Sequence, residues 1–417
     1  MGLTMGERNT VTKEIAARHR RATKKQKGII LDEFTALTGY NRSYASYLLN
    51  SHGKEVRVNS GVVIKADVRK KANRQRQKFY DEKVKRVLRQ IWEMMGCICG
   101  KRLAPIIKEL IAKLKEFKEL AIDIKTEQKF LTISPATIDR LLKEYRKMHE
   151  LKGRSHTKPG TLLKSQIPIR TFSQWDEQRP GFLEIDLVGH EGGDPSGEFI
   201  QSLDSVDICT GWVELDAVRN KAQKWVFEAI DAMKNRLPFD LLGLDSDNGA
   251  EFINDHLYRY CLQNRITFTR ARKYRKNDNC YVEQKNYSVV RKYVWYFRYD
   301  TQEELMIMKE LYGYLRLYIN FFLPVMKQIS KTRIGSKVIK KYDKPKTPYQ
   351  RILESPYVSK DKKDALKRLY GKLNPAEIHR QIQRLQNRLY ETAMLKEEIK
   401  KAKPICHKKS KSCYAYI

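Results

Sequence analysis

The sequence predicts a multidomain chain: all-α helix-turn-helix modules at the N-terminus, a central α/β mixed sheet, and a basic C-terminal extension with helices. Three observations predict it. Apolar residues recur at helical spacing as far as Leu142, and strand-like runs alternate with helices from 183 to 270. Cations crowd the stretch from 331 to 350, which holds seven basic residues and one acid. A chain of 417 residues is too long for one ordinary domain.

Residues 1–55 read as a first helix-turn-helix module. Ile30, Phe34 and Leu37 fall at helical spacing, and the run stops at Gly39. Asn41 then caps a second helix, 42–49, with Tyr44, Leu48 and Tyr47 expected to face inward. That helix would offer Arg42, Ser43 and Ser46 to a DNA groove, the other reading being an ordinary helical hairpin. Residues 56–78 are basic, lack periodicity and read as a linker.

A second helical module is expected over 79–150. Val84, Val87, Leu88, Ile91 and Trp92 repeat at helical spacing, and so do Leu103, Ile106, Ile107, Leu110 and Ile111. Ser134 as N-cap and Pro135 in the first turn open a helix with Ile138, Leu141 and Leu142 on its stripe. Thr137, Arg140 and Lys143 would face outward, towards DNA. Residues 151–179 form a second linker.

From 180 to 325 the pattern changes. Strands are expected at 183–188, 199–207 and 212–218, then a helix carrying Ala222, Val226, Ala229, Ile230 and Met233. A strand at 240–245, a helix at 250–263, a strand at 266–270 and a helix bearing Glu283 follow. Three strands and then alternating helix and strand make a mixed sheet with helices packed on it. Residues 326–357 form a basic extension with interleaved aromatics, suited to phosphate contact through Lys337, Lys340 and Lys341; a solvated basic loop is the alternative. The last segment, 358–417, reads as C-terminal helices and a basic tail. Its stripe of Ile378, Ile382, Leu385, Leu389 and Leu395 either packs on the body or pairs two chains.

Composition narrows the function. Hydrophobic residues make up 41% of the chain, enough for real cores, and the net charge is +34, spread over the whole length. Such an excess calls for a polyanionic partner, of which nucleic acid is the commonest; a ribosome-associated or simply soluble basic protein is the plainer reading. The seven cysteines are scattered, which suits a reducing, intracellular location. Cys97 and Cys99 stand too close together for a zinc knuckle; Cys406, His407 and Cys413, in a lysine-rich tail, could be metal ligands. No signal peptide or membrane-spanning run is evident, so no membrane partner is expected.

The chemistry centres on three carboxylates. Asp186 lies in the middle of a strand-like run, Asp247 follows the apolar run of Leu241, Leu242 and Leu244, and Glu283 stands on a helix, separated from Asp247 by thirty-five residues. Acids held by two strands and a helix are what a pair of hard divalent cations requires for phosphodiester chemistry. Asn286 lies three residues after Glu283 on the same helical face, and Gly249 allows a sharp turn after Asp247. Asp-Asn-Gly alone is commonly just a turn. A calcium loop starting at Asp245 is excluded, because Gly249 falls where a ligand is needed and His256 where a bidentate Glu belongs.

These residues resemble the integrase core of retroviral integrases and DDE transposases, which has an RNase H-like fold. The resemblance rests on Asp186 in Leu-Glu-Ile-Asp-Leu, Asp247 in Ser-Asp-Asn-Gly-Ala-Glu-Phe, and Glu283 in Val-Glu-Gln-Lys-Asn, with Asn286 following. It covers about residues 180–300. The two upstream helical blocks, and the Lys-Lys-Tyr-Asp-Lys-Pro-Lys-Thr-Pro-Tyr segment, look like those of bacterial insertion-sequence transposases. Two departures are evident: no His-His-Cys-Cys zinc module is present, and Asn277-Asp-Asn-Cys280 replaces the usual approach to the Glu.

The resemblance implies cleavage at transposon ends and attack of the freed 3′-OH on target DNA. Asp186, Asp247 and Glu283 would hold two Mg²⁺ (or Mn²⁺) ions, Asn286 and Lys285 would position substrate, and Arg291 or Lys292 would contact backbone phosphate. His190 could assist near the metals, or be a plain turn histidine. DNA is the expected partner, two ends to be joined imply at least a homodimer, and a helper ATPase is a further candidate. A cytoplasmic, nucleoid-associated location follows. A domesticated DNA-binding protein without activity and an RNase H-like nuclease that only hydrolyses remain as alternatives.

Overall fold

The computed structural model describes residues 3–59, 62–65, 79–146, 178–247, 249, 251–252, 254–270 and 280–402. For 56–59, 62–65, 280, 283, 331, 337 and 400–402 it describes the main chain alone. The chain divides into two compact units, Met1–Phe79 and Tyr80–Ile417.

The first unit holds three helices, α1 (Met5–Arg21), α2 (Lys24–Thr38) and α3 (Arg42–Ser51). Their boundaries follow from capping chemistry. Thr4 with Glu7 and Thr23 with Gln26 form capping boxes, and the Asn41 side chain accepts from the Ser43 N–H at 2.9 Å. Gly39 ends α2 in the left-handed conformation, φ 70°. Ala16, Phe34, Ala45 and Leu49 form the core. The inward face of α3 therefore differs from the expected one. Tyr44 and Tyr47 are 49% and 66% exposed, while Ala45 and Leu49 are buried. The small side chain of Ala45 is what α1 packs against, so bulk was a poor guide to orientation. Leu37 is likewise exposed, and Thr38 takes its place inside.

A hairpin of β1 (Glu55–Asn59) and β2 (Val62–Lys65) closes the described part of this unit. The segment expected as linker thus begins with paired strands. Residues 60–61 and 66–78 lie outside the described residues, as do nearly all of 151–179.

The second unit opens with α4 (Glu82–Met94), α5 (Gly100–Leu103), α6 (Ile107–Glu116), α7 (Ile124–Leu131), α8 (Pro135–Leu141) and α9 (Lys143–Arg146). Every apolar position expected to be inward on α4 and around α5 and α6 is buried. Ser134 caps α8 as the sequence implies, accepting from the Thr137 N–H at 3.2 Å. This helical segment belongs to the same compact unit and the same apolar core as the sheet that follows.

That sheet has five strands: β3 (Phe182–Gly189), β4 (Gln201–Asp207), β5 (Val213–Val218), β6 (Gly243–Ser246) and β7 (Thr267–Arg270). Their order is β5-β4-β3-β6-β7; the first three form an antiparallel meander, and β3, β6 and β7 run parallel. Helix α10 (Gln223–Arg236) connects β5 to β6, and α11 (Asp255–Gln263) connects β6 to β7. The second begins later than the sequence implies, because Asn254 caps it by accepting from the Leu257 N–H at 2.9 Å. Then come α12 (Cys280–Lys285), a π-helical turn at Asn286–Arg291, and α13 (Lys292–Val294).

Helix α14 (Gln302–Phe322) is almost wholly buried on its inner faces and packs on β5. The Asn320 side chain extends the sheet edge by accepting from the Val213 N–H (2.8 Å) and donating to its carbonyl (2.7 Å). The expected basic extension contains a hairpin of β8 (Gln328–Ile334) and β9 (Lys337–Tyr342). After α15 (Pro348–Glu354) and α16 (Lys360–Lys372), the long α17 (Pro375–Ala402) lies along α14. Ile378, Ile382, Leu385 and Leu389 are buried there, so the stripe packs on the body; Leu395, at 59% exposure, leaves it. Among the described residues no helix is long and apolar enough to cross a membrane.

Candidate active site

Asp186 occupies the middle of β3, half-buried. Parallel pairing sets Ile185 of β3 beside Ser246, the last residue of β6. Asp247 is the next residue, so both acids come one step further along adjacent strands. Asp247 turns the chain sharply, its Oδ1 accepting from the Gly249 N–H at 2.7 Å. Helix α12 covers this part of β3 and β4: Val282 is fully buried, and its N–H donates to Glu184 of β3 at 2.8 Å. Glu283 is the next residue on α12.

Asn286 opens the π-helical turn and reaches back to the strand. Its Nδ2 donates to Asp186 Oδ2 at 2.6 Å. The wide turn after α12 sits where such turns often mark functional sites. One sequence-predicted residue is therefore bonded directly to another, a hundred positions apart.

A residue that sequence reasoning missed stands beside them. Asp204 of β4 is the direct cross-strand partner of Asp186, and opposed residues of an antiparallel pair share a face. Asp204 is fully buried, and among the described residues neither of its carboxylate oxygens has a hydrogen-bond partner. Burial raises its pKa; Lys285 opposes the rise and Asp186 adds to it. Lys285, at the end of α12, is held below the ordinary lysine range by burial first and then by Arg102, with Asp204 pulling the other way. The signal available was an acid in a run, Phe-Ile-Gln-Ser-Leu-Asp-Ser-Val-Asp, otherwise typical of a buried strand.

Arg291 and Lys292 are placed differently from the expectation of phosphate contact. Arg291 is 7% exposed and its guanidinium donates to the Gly189 carbonyl at 2.7 Å. Lys292 donates to the Gly96 carbonyl. Both cations fasten α13 and the π turn to the body of the unit. His190 does not stand in an open turn. It is fully buried, its Nε2 shares a hydrogen bond with Ser202 Oγ at 2.6 Å, and Ser202 is bonded in turn to Tyr312. Burial, then the Arg291 charge, keeps this imidazole neutral.

The residues expected to touch DNA fall in both units. In the first unit, Arg42 pairs with Asp32, Ser43 is exposed, and Ser46 accepts from Asn50 at 3.3 Å. In the second, Arg140 donates to Thr137 Oγ1 at 3.0 Å and Lys143 is exposed. Lys340 and Lys341 are exposed on β9, whose first residue is Lys337. Cys97, Cys99, Cys209 and Cys261 are free thiols; Cys406, His407 and Cys413 lie outside the described residues. Among the described residues no group of three or more His, Cys, Asp or Glu side chains is disposed to hold a metal ion.

No protein-family model matches the chain. One curated relative does, an uncharacterized protein, y4rM, of Sinorhizobium fredii: 35% identical over 349 residues, covering 84% of this chain and 96% of the relative. The chain belongs to the y4rM family. Among solved structures, this y4rM-family protein is similar to the catalytic core domain of BIV integrase (18% identity, TM-score 0.28), over 42% of its own length and 94% of that chain. It is also similar to the HTLV-2 integrase catalytic core domain in complex with magnesium (13% identity, TM-score 0.26), over 35% and 89%.

Proposed function

We propose that the chain is the DNA transposase of an insertion sequence, a metal-dependent polynucleotidyl transferase with an RNase H-like core. The observation that carries this reading is the bond from Asn286 to Asp186. It ties the helix segment bearing Glu283 to the strand bearing Asp186, while the β3–β6 register brings Asp247 level with Asp186. On this reading the three acids, far apart in sequence, meet beside the β3–β6 pair of a mixed sheet whose order and directions suit that core.

The donor set fits a hard cation: carboxylate oxygens only, with a buried, unpartnered carboxylate at Asp204. Asp186, Asp247 and Glu283 would hold two Mg²⁺ or Mn²⁺ ions, which when bound activate an attacking oxygen and stabilise the leaving one. Asn286 fixes the Asp186 carboxylate. Lys285 is the cation placed to orient a phosphate nearby. Helix α3, with Arg42, Ser43, Ser46 and the exposed Tyr44 and Tyr47, is proposed to enter a DNA groove as the second helix of a helix-turn-helix. Thr137, Arg140 and Lys143 on α8 and α9, and Lys337, Lys340 and Lys341 on β9, would add backbone contacts. Two such chains would join two DNA ends in the cytoplasm, with or without a helper ATPase.

The test is a strand-transfer assay with the full chain, Mg²⁺ and labelled DNA from both flanks of its gene. Products joined to a target plasmid, absent with Asp186→Asn, are expected. Cleavage without joining would replace this reading with a hydrolytic nuclease; end binding with neither product would favour a domesticated DNA-binding protein.

A further inference from the structure

We propose that Asp204 is a fourth carboxylate of the metal centre, sharing a divalent cation with Asp186 across the β3–β4 pair. This rests on the metal-dependent reading above and adds a ligand that the three-acid motif does not contain.

Two ionised acids directly opposed on neighbouring strands repel, and a divalent cation shared by Asp186 and Asp204 would remove that repulsion. Nothing else described satisfies Asp204: it is fully buried and both its oxygens lack a hydrogen-bond partner. Buried polar groups are nearly always bonded, and an orphaned carboxylate is among the costliest exceptions. Its neighbour Asp186 differs, being half-buried and already held by Asn286 and by the Leu187 N–H. The cation that binds both would therefore enter over Asp186 and be gripped from beneath by Asp204. Lys285 lies near enough to moderate the negative charge of Asp204. Oxygen-only ligation selects Mg²⁺, Mn²⁺ or Ca²⁺ over softer ions.

The full chain should be titrated with Mn²⁺ while free Mn²⁺ is followed by electron paramagnetic resonance. Binding of Mn²⁺ by the unsubstituted chain is expected, with a loss of roughly tenfold or more in the affinity of one site in Asp204→Asn. That variant keeps shape and volume, and circular dichroism checks its fold. If it fails to fold, crystals of the unsubstituted chain grown with Mn²⁺ decide: an anomalous peak within about 2.5 Å of an Asp204 oxygen supports the proposal. A peak bonded to Asp186 but remote from Asp204 overturns it. So does Asp204→Asn binding Mn²⁺ as the unsubstituted chain does while Asp186→Asn loses the ion; the metal-dependent function would then survive. No Mn²⁺ binding by any form would remove both.

Discussion

At the end of β4, Asp207 shows how a single buried acid couples stability to pH. Its carboxylate accepts from the Gly181 N–H at 2.8 Å and from the Thr210 N–H and hydroxyl at 2.7 and 2.6 Å. Burial nevertheless outweighs these bonds and pushes its pKa up to about 6. The folded chain therefore keeps this proton to higher pH than the unfolded chain, whose aspartates titrate near 4. Between those values the folded state binds more protons, so stability falls as pH rises from about 4 to 6. Asp207→Asn removes the titration. The stability difference between native chain and variant should shift in favour of the native chain by about 2 kcal/mol from pH 7 to pH 4, read by urea unfolding at each pH. A difference independent of pH would show that Asp207 does not titrate in that range. Single residues also mark where sequence reading stops. Asp186, Asp247 and Asn286 were legible as candidates because motif and spacing single them out, and Asn286 is bonded to Asp186. Asp204, Arg291 and Lys292 were not: their roles depend on cross-strand register and burial, and an internal arginine spells the same as an exposed one.

Helix α17 is joined to α14 by the exposed pairs Arg384–Glu310 and Arg388–Glu303 and by one lysine set among acids. Lys396 Nζ donates to Glu304 at 2.7 and 2.9 Å, to Asp300 at 2.9 Å and to the Arg298 carbonyl at 2.8 Å. Glu304 is fully buried and also accepts from the N–H groups of Asp300 and Thr301. Lys396→Met keeps the aliphatic stem but leaves that carboxylate without its cation, which should cost about 3 kcal/mol. Chemical denaturation of the full chain measures it; a loss under 1 kcal/mol would show that Lys396 is not the anchor of α17. At this scale, elements with strong local signals were readable. Asn41, Ser134 and Pro135 announce their helices, and the alternation of strands and helices gave all five strands of the sheet. Helix α14 went unread although Thr301 and Glu304 form a capping box before a long apolar run. Both hairpins were hidden by lysines and arginines that look like linker composition. In β8–β9 the two turn residues Gly335 and Ser336 were the available sign, Gly335 taking φ 60°.

The whole molecule carries a charge of +34, and its proposed DNA-contacting positions are distributed over both compact units. Some cations are engaged in surface ion pairs, which leave that net charge unchanged: Arg18 with Glu33, Arg42 with Asp32, and Arg380 with Glu119. Lys143, Lys340 and Lys341 stay exposed. Each cation that meets a DNA phosphate releases a condensed counterion, so affinity should fall linearly in log–log form with salt. With at least about six phosphates met, binding of a gene-flanking duplex should weaken roughly 10³-fold or more between 50 and 200 mM salt. Fluorescence anisotropy of the labelled duplex gives the slope directly. Replacing Lys340 and Lys341 together by alanine should reduce that slope by about two phosphates' worth, uniformly across DNA sequences. Arg42→Ala should instead erode the preference for the flanking sequence over random duplex, since a groove-facing side chain contributes to discrimination as well as charge. A flat salt dependence, or an Arg42→Ala effect equal on both duplexes, would detach the charge and the α3 helix from DNA recognition.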